Sequence, residues 1–450
     1  MKLTLEKIAE FTGGSVRGNK EITVRNASID SRKLEPDCLF IALKGERTDG
    51  HLYIDQAFAS GAAAALTIRD LYHGNSGAVV ETDDTAVAMG RIAAGILRER
   101  GDSVFKIAVT GSVGKTSTKD MVASVIGGHY ITLKSELNQN NELGLPLTVM
   151  RLDETHEALV TEMGMRGLGQ IEYLTKIVRP DVAIITNIGI SHLETLGTRE
   201  NILRAKLEIC KGMRPGGKLI LNGDNDMLSD EALVQAILEE YGADAIETVY
   251  FGTEENSAYR AENIHGSSYE LFTPSGQHFA VRLRVPGVHN VYNSMAAVCA
   301  ANALGISSEE AVDTLSQFGE EASRQKIVET PWGFVIDDTY NAGPESMAAS
   351  LGVLRDMDAD IKIAALGDML ELGVLSEESH RKVGRLASEA AGVLLAVGPQ
   401  SVIYYDTFDG LRKMHVSDSS EGARVLSPII RDYAQRGLKV GVLVKGSHAI

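Results

Sequence analysis

The segment Thr110-Gly-Ser-Val-Gly-Lys-Thr-Ser117 joins two glycines, one lysine and a run of hydroxyl residues, directly after the apolar stretch 105–109 and before a helix expected over 118–126. Glycines at such a place let backbone N–H groups converge on phosphate oxygens at a helix N-terminus. Lys115 would set a cation between β- and γ-phosphates, and the Thr116 hydroxyl would reach a bound Mg²⁺. Thr110, Gly111, Ser112, Gly114, Lys115, Thr116 and Ser117 are therefore the expected ATP contacts. The spacing departs from G-x-x-x-x-G-K-[ST], because Val109 occupies the place of the first glycine, so a different loop subclass is implied.

Three further groups fall where a doubly wound sheet gathers ligands, beyond the carboxyl ends of strands or on the following helix. Glu162 ends the apolar run 158–161 and offers a carboxylate to a hard divalent cation or, as readily, to solvent. His192, in Gly189-Ile-Ser-His-Leu-Glu194, offers an imidazole as ligand or acid-base group, although a polar loop residue is the plainer reading. Lys206 reads by itself as an exposed helix lysine. Neither central strand ends in the aspartate of ordinary P-loop kinases and GTPases, which therefore fit poorly.

These groups need a scaffold of alternating strands and helices, and the pattern supplies one. Residues 1–101 read as a small mixed α/β unit, with a helix near 4–11 stopped by Gly13 and Gly14, short strands within 24–43, and a helix over 85–100. From 102 to 318 alternation implies a parallel sheet, ending in antiparallel hairpins over 258–286 and two helices. Residues 319–450 resume the alternation, with strands at 334–336, 361–366, 393–397 and 440–444, as a Rossmann-like domain. Hinges are expected near 101–104 and 319–330.

With 450 residues, about 150 per domain also gives three, each expected to bury its own core. A net charge of −17 argues against a nucleic-acid partner, and 44% hydrophobic with 23% charged residues is ordinary globular usage. No apolar run approaches the ~18 residues of a membrane span, and the start lacks the apolar core of a signal peptide. A cytoplasmic protein without membrane insertion is expected. Cys38, Cys210 and Cys299 are too scattered for a disulfide framework and read as reduced, buried fillers.

Taken together, these motifs resemble those of the Mur ligases, ATP-dependent amide ligases of cell-wall precursor synthesis, over nearly the whole chain. That family's loop has the T-G-[ST]-x-G-K-[ST] form, which explains the displaced glycine. Asp30-Ser-Arg32, Leu39-Phe-Ile-Ala-Leu-Lys-Gly45 and Asp49-Gly-His51 resemble its UDP-sugar-binding domain, implying contacts from Ser31, Arg32, Lys44, Gly45 and Thr48. Asn138-Gln-Asn-Asn-Glu-Leu-Gly-Leu-Pro146, Asp337-Asp-Thr-Tyr-Asn-Ala-Gly-Pro-Glu-Ser-Met347 and Leu366-Gly-Asp-Met-Leu-Glu-Leu-Gly373 resemble the branch that adds a dipeptide. That implies a UDP-N-acetylmuramoyl tripeptide and D-alanyl-D-alanine as substrates, with Asn140, Asn141 and Asn341 as contacts, in a monomer.

The resemblance makes Lys115, Glu162, His192 and Lys206 the catalytic set. Thr116 and Glu162 become ligands of one Mg²⁺; His192 and Lys206, the latter as a carbamate, become ligands of a second. Asn293 matches an adenine contact, and Arg324, Asp338 and Tyr340 match positions that close on ATP. Val113 stands where the family often has Asn, and Gly343 where this branch often has Asn. A folate-type polyglutamate ligase shares the loop but not the UDP-binding start, and a nucleotide switch lacks its aspartate.

Overall fold

The computed structural model describes residues 1–46, 48–136, 138–319 and 324–447. Its frame is three α/β units in chain order, and their main sheets are separate. In the first, the parallel strands Asn26–Ser28, Cys38–Ile41, Ala64–Ile68 and Ala78–Thr82 carry Ser15–Arg17 as an antiparallel edge. The opening helix Leu5–Thr12 is capped by the Thr4 hydroxyl and closed by Gly13 at φ 70°, a conformation that costs glycine nothing.

The middle sheet has nine strands. Phe105–Thr110, at its centre, pairs in parallel with Ala158–Glu162 on one side and Val182–Ile185 on the other. Strand order reverses direction of travel there, so the carboxyl ends of the three strands open a crevice at the phosphate loop. The hairpins over Tyr259–His265, Ser268–Phe272 and His278–Arg282 extend this same sheet. The apolar helix Val288–Ala303 packs on the phosphate-loop helix Lys115–Gly127. That helix begins three residues earlier than the sequence pattern indicates, because the loop itself winds into its first turn.

The third sheet runs Lys326–Thr330, Gly333–Asp338, Val440–Lys445, Ile361–Gly367, Val393–Val397, Arg412–Val416, and only the first pair is antiparallel. Strands Lys326–Thr330 and Arg412–Val416 escape a pattern-based reading because each is a partly exposed edge with charged positions.

The cores differ from the expectation of one per domain. Ile8, Leu39, Leu66, Met89 and Ile92 of the first unit belong to one continuous apolar cluster with Leu145, Leu159, Ile171 and Ile185 of the second. The helix Thr85–Arg100 makes the joint: Gly90 lies so close to Tyr173 that a side chain there would collide with its hydroxyl. Arg100 donates to the carbonyls of Asp153 and His156, and Arg214 pairs with Asp102. The expected hinge at 101–104 is thus tied down; part of the one at 319–330 lies outside the described residues. The three cysteines are free and buried, as expected, and among the described residues no helix is long and apolar enough to cross a membrane.

Candidate active site

Two glycines shape the phosphate loop. Gly111 has φ 147° and abuts Thr186, leaving no room for a Cβ, and Gly114 has φ 82°. The backbone of residue 113 is held on both sides: its N–H donates to Asn187 Oδ1 (3.0 Å), and its carbonyl accepts from the Thr186 hydroxyl (2.6 Å). Valine serves here because the chain uses the backbone, not the side chain. Thr110 is buried, donating its hydroxyl to the Met163 carbonyl. Lys115 Nζ is enclosed by the carbonyls of Gly111 (2.8 Å) and Ser112 (3.1 Å). Burial lowers its pKa, with Glu162 opposing and Arg324 adding to the shift.

Glu162 is not solvated. It is 3% exposed, accepting from the Thr116 hydroxyl (2.8 Å) on one oxygen and from Asn140 Nδ2 (2.8 Å) on the other. Its own N–H donates to Ser135 Oγ (2.9 Å), and the Ser135 carbonyl accepts from Lys119 Nζ (2.8 Å). Lys119 and Ser135 escape a motif reading because they act behind the carboxylate.

Lys206 overturns the exposed-lysine expectation: it is 0% exposed, and its Nζ has no hydrogen-bond partner among the described residues. Burial drives its pKa well below the usual lysine value, and Lys115 adds to the effect. An ammonium cannot remain there without a partner. His192 is half-buried at φ 66°. Burial, the largest cause, lowers its pKa, with the cationic Arg166 adding to the shift, so its ring is neutral at neutral pH. Glu371, at 3.6 Å from Nδ1, is too far for a hydrogen bond and does not offset this.

The third domain covers the loop. Arg324 donates to the Thr116 hydroxyl (3.3 Å), its guanidinium 3.2 Å from the centre of the Tyr340 ring. Asp338 is buried and accepts from Lys445 Nζ (2.6 Å) and the Ser350 hydroxyl (2.7 Å). Lys445 also donates to the Asn341 carbonyl (2.9 Å), so the late lysine sets the 338–343 turn. One cavity of about 1030 Å³ is lined by Ser112, Gly114, Lys115, Thr116, Ser117, Asn140, Asn141, Glu162, His192 and Asn293 of the middle domain, and by Arg324, Asp338, Tyr340 and Asn341 of the third. Asn293 has committed Oδ1 to the Thr118 hydroxyl and one N–H to Asn290, leaving one N–H for a ligand. Phe251 and Tyr292, which sequence reasoning did not single out, also line the cavity.

Lys206, Thr110 and Gly111 lie behind the cavity lining, and the five predicted UDP-sugar contacts lie elsewhere. Ser31 and Arg32 are on the loop after Asn26–Ser28, and Lys44, Gly45 and Thr48 follow the neighbouring parallel strand Cys38–Ile41. Both loops leave the same end of the first sheet, outside the cavity lining. Arg32 is paired with Asp30 (2.9 Å), and Thr48 lies 3.1 Å from the Tyr53 hydroxyl.

A phosphate loop at the crevice of a parallel sheet, faced by a cation and a carboxylate from a separate Rossmann-like domain, defines an enzyme that transfers a phosphoryl group within a closed interdomain site. Comparison with known families makes the class particular. Residues 109–301 match the Mur ligase middle domain, 323–448 the Mur ligase glutamate ligase domain, and 23–95 the Mur ligase family catalytic domain. The chain belongs to the Mur ligase family. It is 36% identical to the UDP-N-acetylmuramoyl-tripeptide--D-alanyl-D-alanine ligase of Bacillus subtilis (strain 168), over 99% of this chain and 98% of that one. Among solved structures it is similar to MurF from Acinetobacter baumannii (TM-score 0.90, 32% identity, 100% and 96% coverage). It is also similar to MurF ligase from Thermotoga maritima in complex with ADP (TM-score 0.80, 27% identity, 95% of each chain).

Proposed function

We infer that the chain is an ATP-dependent ligase that joins D-alanyl-D-alanine to a UDP-N-acetylmuramoyl tripeptide, releasing ADP and phosphate, in peptidoglycan precursor synthesis. The observation that carries this is the single cavity in which the phosphate loop and the dipeptide-branch turn at 338–343 face each other. The end-to-end likeness to enzymes named for this reaction supports it. The proposed limits are 1–101 for binding the UDP-sugar through Ser31, Arg32, Lys44, Gly45 and Thr48, 102–318 for ATP, and 319–450 for the acceptor. The proposal is completed by a monomer working in the cytoplasm, where ATP and UDP-linked precursors are at hand.

In the reaction a terminal carboxylate oxygen of the tripeptide bonds to the γ-phosphorus as the bond to the β-bridging oxygen breaks, giving an acyl phosphate and ADP. The dipeptide nitrogen then bonds to the acyl carbon, phosphate leaves, and the amine loses a proton. Lys115 and Arg324 face the charge of the transferring group from opposite domains. Backbone N–H groups of the loop orient the phosphates, Asn140 and Asn141 flank the donor side, and Asn341 and Tyr340 offer hydrogen bonds to the acceptor.

The donors suit two Mg²⁺ ions, with Thr116 and Glu162 serving one and His192 and Lys206 the other. In this reading Lys206, buried with an unpartnered Nζ, contributes an oxygen to the second ion. A neutral amine attacking CO₂ and losing a proton becomes a carbamate, which supplies it. Bound there, the ions offset phosphate charge. The test is ADP release with the UDP-tripeptide and D-alanyl-D-alanine, omitting each in turn. Sustained release should need both substrates, with no more than about one ADP per enzyme formed when the dipeptide is left out, and free diaminopimelate or L-lysine outperforming the dipeptide would overturn the acceptor.

A further inference from the structure

The turn 188–192, which ends in His192, is built by the middle domain but gripped by the third. Its near anchors are ordinary: the Gly189 N–H donates to Ser112 Oγ (2.9 Å), and the Ile188 carbonyl accepts from Arg199 (2.8 Å). Three more come from across the interface. Ile190 packs its side chain against the core cluster of the third domain, whose members include Met347 and Leu372. Its N–H donates to Glu345 Oε1 (3.1 Å), a carboxylate on the first turn of the helix Pro344–Asp356. Gly189 makes room for it, since a Cβ there would lie 2.6 Å from that oxygen. Glu371, on the loop of the motif at 366–373, faces His192 Nδ1 at 3.6 Å, and Gly373 is so close that a Cβ would lie 3.2 Å from Glu194 Cβ.

These contacts have a chemical logic. A histidine that ligates through one ring nitrogen needs the other N–H fixed, most often by a carboxylate. With Nδ1 turned to Glu371, Nε2 remains for a cation, and a small side-chain movement closes 3.6 Å to a hydrogen bond. His192 is left-handed, a conformation a non-glycine residue keeps only where its surroundings enforce it.

We propose that Glu345, Glu371 and the Ile190 plug form an interdomain clasp that sets the 188–192 turn, so that His192 is presented to the second cation only when the third domain is docked. These are positioning residues, and the idea rests on the reading of His192 as a ligand. It makes domain closure and completion of the site a single event, with Glu345 Oε2, buried without a partner among the described residues, held at the joint.

The test uses the full chain in three readouts. Hydrogen exchange with a non-hydrolysable ATP analogue and the UDP-tripeptide bound, which keep the third domain docked, should show the amide of residue 190 opening about ten-fold more in Glu345→Ala and in Ile190→Ala, with 105–127 unchanged. Glu345→Gln, which keeps the acceptor oxygen, should restore protection. Manganese binding with a non-hydrolysable ATP analogue, counted by electron paramagnetic resonance, should show the weaker of two ions lost by about 10- to 100-fold in Glu371→Ala, with the other retained. In turnover, kcat should fall at a higher cation requirement while the KM for ATP holds. Unchanged Ile190 exchange, or equal weakening of both ions, would overturn the clasp. A wild-type chain binding fewer than two ions would instead sink the two-ion reading, and the exchange result would still decide the clasp.

Discussion

An ammonium carries three donors, and Lys206 Nζ meets no acceptor among the described residues while lying wholly buried near a second lysine and Glu162. Burying such a charge costs several kcal/mol, so the group must be neutral or converted. Conversion to the proposed carbamate would also give the proposed second cation an oxygen ligand. Lys206→Ala is expected to lose at least about 100-fold in ADP release, with partial recovery on adding formate or acetate, whose carboxylate enters the vacated space. A native mass at neutral pH should exceed the sequence mass by one CO₂ and lose it in acid. Full activity in Lys206→Ala would end the assignment.

At the scale of the element, the loop bearing Glu371 hangs from the buried His380. Its Nε2 accepts the Met369 N–H (3.2 Å), and Nδ1 lies 2.7 Å from the Ser376 carbonyl, an arrangement only a neutral ring with its proton on Nδ1 can make. Burial, the largest cause, lowers its pKa below 6.5, with the Ser376 carbonyl and Asp368 opposing. Below 6.5 the unfolded chain therefore takes up this proton before the folded one. The stability from His380 is complete above 6.5 and falls as the pH drops towards the folded value. Denaturant midpoints compared at about pH 7.5 and about pH 5.5 should show a loss that His380→Gln reduces, by no more than about 1.4 kcal/mol per pH unit. An unchanged slope in the variant would exclude this histidine as the source.

For the whole molecule, the first two domains share one apolar cluster, whereas the third keeps clusters of its own and meets them through the Ile190 plug and polar contacts such as Arg324 with Thr116 and Glu345 with the Ile190 N–H. Motion should therefore belong to the third domain. Small-angle scattering with an ATP analogue and the UDP-tripeptide is expected to show compaction relative to the free chain; an unchanged radius of gyration would count against closure.

Much of this was legible in the sequence, for local reasons. The phosphate loop, the helix Thr85–Arg100 and the parallel strands follow from glycine placement, capping and apolar periodicity, all properties of neighbouring residues. The expected strand ends singled out Glu162, His192 and Lys206 and the resemblance gave them roles, although local chemistry alone reads Lys206 as a surface residue. Burial is what reverses that reading, and burial is a sum over residues distant along the chain. For the same reason the fused core of the first two domains, the backbone grip on Val113 and the reach of Glu345 to Ile190 belong to the tertiary structure: each joins groups whose sequence separation leaves no periodic or motif-like trace.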